Sequence, residues 1–146
     1  MSVVSSDAEQ HNREIHENRE AWASKPVLRR AYAELYRTIR ENVEPSIPGS
    51  KVELGSGMGN IRDHLPECIT TDLFPNPWLD RVENAQLSFY DSSVGHLTLF
   101  DVWHHLEYPA NALAEFRRVL VPRGRVIILE PAMSVGGPVG LWELPS

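Results

Sequence analysis

The stretch Lys51-Val52-Glu53-Leu54-Gly55-Ser56-Gly57-Met58-Gly59-Asn60 constrains this 146-residue chain more than any other. A short apolar run ends in three glycines at alternate positions, and a helix-compatible segment follows. Glycine has no Cβ, so it takes positive φ and lets the backbone approach a ligand closely. A glycine turn between a strand and a helix is the form of a ligand loop at the carboxyl edge of an α/β sheet. A plain tight turn has the same composition, so the rest of the chain must decide.

Residues 67–73 are β-rich, apolar in the middle, and end near an acid, Asp72. Residues 80–85 predict a short third strand, 94–101 a strong fourth and 125–130 a fifth. Val27, Leu28, Ala31, Leu35, Ile39 and Val43 recur at spacings of three and four, which predicts a helix over 26–43. Pro26 suits its first position and Ser24 its cap. Leu113, Phe116, Val119 and Leu120 form a second apolar stripe after Pro109, with Arg117 and Arg118 placed to complement the helix dipole. Residues 60–65 predict a short helix. Residues 1–6 read as a loose terminus and 7–23 as a mostly solvated helix, anchored by Ile15 and Trp22, with His11 and His16 on its solvated face. Residues 132–146 show no clear periodicity. Strands separated by helices imply crossovers, a mainly parallel sheet and helices on both faces. The expected fold is a Rossmann-like three-layer α/β sandwich.

Such a sheet brings the glycine loop, Asp72, the Ala85 region and Asp101 to one carboxyl edge. Asp72 lies 17 residues after Gly55, where a carboxylate can accept hydrogen bonds from vicinal ribose hydroxyls. A turn aspartate is the alternative. The loop spells Gly-x-Gly-x-Gly, whereas a dinucleotide loop spells Gly-x-Gly-x-x-Gly; Asn60 stands at its last glycine. Glu53 just before the loop would repel a pyrophosphate but suits a ligand with an amino group or sulfonium. The charges therefore favour S-adenosylmethionine over NAD.

Composition narrows the partners. A hydrophobic fraction of 42% is enough for a real core. The net charge of −6 removes the attraction that nucleic acid or an anionic membrane requires. The single cysteine, Cys68, excludes a disulfide framework and a cysteine-based zinc cluster, and it is expected to be inert core. A cytoplasmic setting is the default. No signal peptide is read over Met1 to Gln10, and no run of about 18 apolar residues predicts a membrane span.

Val52 to Gly59 resembles the first motif of class I S-adenosylmethionine-dependent methyltransferases, and Thr71-Asp72-Leu73 their second-strand acidic motif. Leu87 to Val94 resembles the family's approach to its fourth strand. Asp101 to Leu106 is similar to the segment that follows that strand. Glu115 to Val126 resembles its helix, turn and fifth strand. The resemblance covers about residues 50–133 and points to the methyltransferase type 11 group. It implies that Glu53, Gly55, Ser56, Gly57 and Gly59 surround the methionine part of S-adenosyl-L-methionine. By the same resemblance Asp72 holds the ribose and Leu73 packs on adenine. Asn84 and Ala85 stand where the family often has an acid that binds the adenine amino group. Phe100 and Asp101 would sit beside the methyl-transfer face. The family fold continues past its fifth strand, so a truncated five-stranded sheet of order 3-2-1-4-5 with an uncovered edge is expected, and a homodimer could cover that edge. Residues 1–25 would form a polar helical extension and 26–146 an incomplete cofactor domain.

Methyl transfer to a small-molecule acceptor is the leading reading. A non-catalytic S-adenosylmethionine-binding or interaction module is the alternative, and an NAD-dependent oxidoreductase ranks third. No catalytic side chain and no metal site is assigned. His104 and His105 are adjacent, so they do not face a shared metal, and they read as structural. Trp22, Tyr32, Tyr36 and Trp103 read as core more than as pocket. The 26–43 helix is a candidate lid over the substrate side.

Overall fold

The computed structural model describes residues 3–130 and 141–142. Its elements are α1 (Val3–Ser24), α2 (Pro26–Glu41), β1 (Ser50–Leu54), β2 (Ile69–Asp72), β3 (Arg81–Val82), β4 (Val94–Phe100), α3 (Pro109–Val119), β5 (Leu120–Leu129) and β6 (Leu141–Trp142). The sheet order is β3-β2-β1-β4-β5-β6. The first five strands run parallel in the expected order 3-2-1-4-5. Val52 stands in register with Ile69 on one side and Leu97 on the other, so β1 is the central strand. The one antiparallel partner is β6, whose two residues pair with Ile128 and Leu129. It partly covers the edge that the sequence left open after the fifth strand.

Strand alternation sends successive side chains to opposite faces. On β5, Val126 and Ile128 join Val52, Leu97, Leu99, Phe116 and Val119 beneath α3. Ile127 and Leu129 point the other way, to Tyr36 and Ile39 of α2 and to Ile61, Leu65 and Cys68. Burial pushes the Cys68 thiol up, so it is unreactive core, placed just before β2. His96 points into the α2 side; its Nε2 accepts a hydrogen bond from the Glu44 N–H at 3.0 Å, and burial lowers its pKa.

Several local expectations change. The α1 helix begins at Val3, inside the stretch expected to be loose. Ser24 does not cap α2; its hydroxyl donates back to the Glu20 carbonyl at 2.8 Å, and Lys25 stands at the cap without a side-chain bond. Residues 60–65 form only a 3₁₀ turn over Asn60–Asp63, with Pro66 following shortly after. The third strand is two residues long. Arg29 of α2 donates to the Trp22 and Ala23 carbonyls at 2.6 and 2.9 Å, closing the α1–α2 corner. Tyr36 and Ile39 are 5% and 1% exposed, so α2 is a core helix and not the lid that its position suggested.

Leu97 is fully buried at the centre of β4. Leu97→Ala should cost about 2–5 kcal/mol, read as a lower urea midpoint with an unchanged slope.

Candidate functional site

The glycine turn leaves the end of β1 and is pinned to β2 at one residue. The Ser56 N–H donates to the Thr71 carbonyl at 2.8 Å, and the Thr71 N–H returns a bond to Ser56 Oγ at 3.1 Å. Thr71 Oγ1 also donates to the Glu53 carbonyl at 2.7 Å. Gly55 has φ +72°, and a Cβ there would lie 2.4 Å from Val102 Cγ2. Glycine is therefore required by the turn that follows β4. Gly57 has φ +53°, and a Cβ there would meet nothing within 4 Å. Asn76 Nδ2 donates to the Gly57 carbonyl at 3.0 Å, and Gly59 sits buried against the Trp78 carbonyl.

Two carboxylates lie under this turn. Glu53 is 2% exposed, and its Oε2 has no hydrogen-bond partner among the described residues. Burial pushes its carboxyl up to about 8; the Asp72 charge adds to the rise, and Ser56 opposes it. Asp72 ends β2 and is buried. Its Oδ2 accepts from the Gly57 N–H at 2.9 Å and its Oδ1 from the Leu73 N–H at 2.7 Å. An orphaned buried oxygen, an open glycine and a second carboxylate fit a ligand that carries both a cation and hydroxyl groups.

The neighbouring loops form the rest of the edge. Leu73 is 56% exposed, beside exposed Val82, Asn84 and Ala85. Asn84 Oδ1 already accepts from the Gln86 N–H at 2.8 Å. The buried acid of this loop is the preceding residue, Glu83, which accepts from the Ser88 N–H at 2.8 Å and from the Ser88 hydroxyl. Arg118 fixes the same loop by donating to the Leu87 and Phe89 carbonyls at 2.8 and 3.0 Å while paired with Glu115 and Asp91. Its helix-end position was readable in the sequence; its four partners were not.

Phe100 ends β4 between Tyr32 and Tyr36, with ring centroids 5.4 and 5.3 Å away. Asp101 turns at φ +59° and its N–H donates to the Leu129 carbonyl at 2.8 Å. Glu130 then grips the turn. Its Oε1 accepts from the Val102 and Trp103 N–H groups at 3.0 and 2.7 Å, and its Oε2 lies 2.6 Å from His104 Nδ1. Asp101, His104 and Glu130 bring ligand-type atoms within 4.8 Å of one another. Both Glu130 oxygens are engaged in these bonds.

The least expected neighbour comes from α1. His11 is half-buried, with its Nε2 3.6 Å from Asp72 Oδ2 and its ring 5.1 Å from Phe74. It is not on a solvated face. Arg19 lies over Trp78 at 4.5 Å, and Ile15 is 4% exposed. His16 is exposed, as its polar surroundings predict.

A model of the methyltransferase-domain family matches residues 52–128, more than half of the chain. The chain belongs to the class I S-adenosylmethionine-dependent methyltransferases, type 11 group. A search of curated proteins finds no match. Among solved structures, a Thermotoga maritima S-adenosylmethionine-dependent methyltransferase aligns with a TM-score of 0.64 and 21% identity, over 80% of this chain and 58% of its own. A Bacillus halodurans methyltransferase aligns at 0.56 and 16%, over 69% and 52%. A methyltransferase in complex with the Haloferax volcanii Trm112 methyltransferase activator aligns at 0.53 and 21%, over 75% and 58%. At such identities the likeness concerns the fold. The present chain spans between half and three-fifths of each of these proteins. No described helix is long and apolar enough to cross a membrane.

The raised Glu53 pKa has a sign. Between about 4.5 and 8 the folded protein keeps a proton that the unfolded chain releases, so stability falls as pH rises through this window. Glu53→Gln should remove this slope. Chemical unfolding at pH 5 and pH 8 should show wild type losing on the order of 2–4 kcal/mol relative to the variant.

Proposed function

We propose that this chain binds S-adenosyl-L-methionine at the glycine turn and transfers its methyl group to a small-molecule acceptor. The observation that carries this reading is the orphaned, buried Glu53 carboxyl beneath the open Gly57, with Asp72 beside it. Glu53, Gly55, Ser56, Gly57 and Gly59 would surround the methionine part. Asp72 would hold the ribose hydroxyls, and Leu73, Asn84 and Ala85 would line the adenine. Phe100 and Asp101 would face the transferring methyl.

The cofactor supplies an electrophilic methyl on a sulfonium, so no side-chain nucleophile is required. The protein's task is to align the acceptor in line and exclude water. Glu53, held largely protonated at neutral pH by burial, would release its proton when a cation is seated against it. The aromatic wall of Tyr32, Tyr36 and Phe100 would keep the transfer face dry. Residues 26–146 would make up the cofactor domain and 1–25 an extension of it, in a cytoplasmic protein. The outer edge of β5 from Leu120 to Ile127, which has no strand partner among the described residues, would pair with a second copy.

Calorimetry with S-adenosylhomocysteine tests the cofactor site. Wild type should bind, and Asp72→Ala should lose about 2–4 kcal/mol of affinity. Unchanged affinity would sink the ribose role. Binding without methyl transfer to any acceptor class would favour the non-catalytic module.

A further inference from the structure

The position of His11 is unexplained by the fold alone. Its Nε2 is buried without a hydrogen-bond partner among the described residues. At 3.6 Å, Asp72 Oδ2 is beyond hydrogen-bonding distance, and a buried nitrogen left unpaired is costly. The carboxylate also has capacity to spare. Oδ2 accepts from Gly57 and Oδ1 from Leu73, and each oxygen has a second lone pair. Two unfilled hydrogen-bonding groups thus stand side by side at the end of β2. The approach is held in place. Ile15 is buried one turn along, the ring of His11 packs on Phe74, and Arg19 lies over Trp78.

Resting on the methyltransferase reading above, we propose that His11 is a cofactor-binding residue that grips the ribose together with Asp72. A vicinal diol matches the pair chemically. One hydroxyl donates to the carboxylate, and the other pairs with the imidazole nitrogen. The α1 helix then completes the ribose seat with a residue outside the span matched by the family model. A ligand with both hydroxyls is favoured over a deoxyribose analogue.

The test is calorimetric titration of S-adenosylhomocysteine into the wild-type chain of 146 residues and its His11→Phe and His11→Gln variants, with thermal melts as a folding check. His11→Phe keeps a ring against Phe74 but has no nitrogen, and should bind roughly tenfold more weakly. His11→Gln restores a polar group and should recover part of the loss. With the 2′-deoxy and 3′-deoxy forms of the ligand, the gap between wild type and His11→Phe should shrink for the analogue lacking the hydroxyl that pairs with the imidazole. A structural role of the ring would leave His11→Phe close to wild type, which overturns the proposal. Tighter binding by His11→Phe also overturns it, because the imidazole would then be blocking the seat. Failure of wild type itself to bind S-adenosylhomocysteine overturns the methyltransferase reading too, and is thereby distinguished from failure of His11 alone.

Discussion

The site depends on a carboxyl group kept out of water at the end of the central strand. Glu53 is bordered by β2 and β4 and roofed by the glycine turn, so no water reaches it to offset its charge. Burying such a group is unfavourable unless something compensates. Here the compensation is a proton, which burial holds on the carboxyl. The surrounding bonds are arranged so that the carboxyl cannot escape. The Ser56–Thr71 pair and the Thr71 bond to the Glu53 carbonyl fix the backbone on both sides of it.

From that point the fold works outward in two layers. The α3 face is almost wholly apolar and gives rigidity. The α2 face admits polar groups, including His96, Thr70 and Thr98, alongside its apolar cluster. Among the described residues, left-handed backbone outside glycine occurs at Ser92, Asp101 and Arg123, and at the carboxyl edge Gly55 leaves room for Val102. Non-glycine residues at positive φ persist where the surroundings over-determine them. The Leu129 carbonyl and the Glu130 carboxylate do this for the turn after β4.

Strand positions and the glycine loop were legible because each is written in local sequence, whereas the strand order came from the family resemblance. Alternation marks a strand, a stripe marks a helix, and glycine marks positive φ. Asp72 was legible for the same reason, as an acid at a strand end. The contacts that finish the site were not. Glu130 is separated from Val102 by 28 residues, Arg118 from Leu87 by 31, and His11 stands 61 positions before Asp72. No spacing rule links such residues. Polar composition hid α1 most completely. A helix with few apolar residues reads as solvated, although Ile15 and one imidazole are enough to aim it at the sheet edge. The position of α2 before the first strand suggested a lid, whereas Tyr36 and Ile39 belong to the core, as the reading of its aromatic residues had it.

The Glu130 grip bears on the order in which the halves of the site can assemble. Bonds between the glycine turn and β2 close loops of 15 to 18 residues. The Glu130 bonds to the turn after β4 close longer loops, of 26 to 28 residues. Loop-closure entropy disfavours the longer pairing, and the first half needs nothing from β5. During synthesis on a ribosome, the cradle around Asp72 can therefore take shape while the turn after β4 is still loose. A nascent chain would order one half of the carboxyl edge before the other.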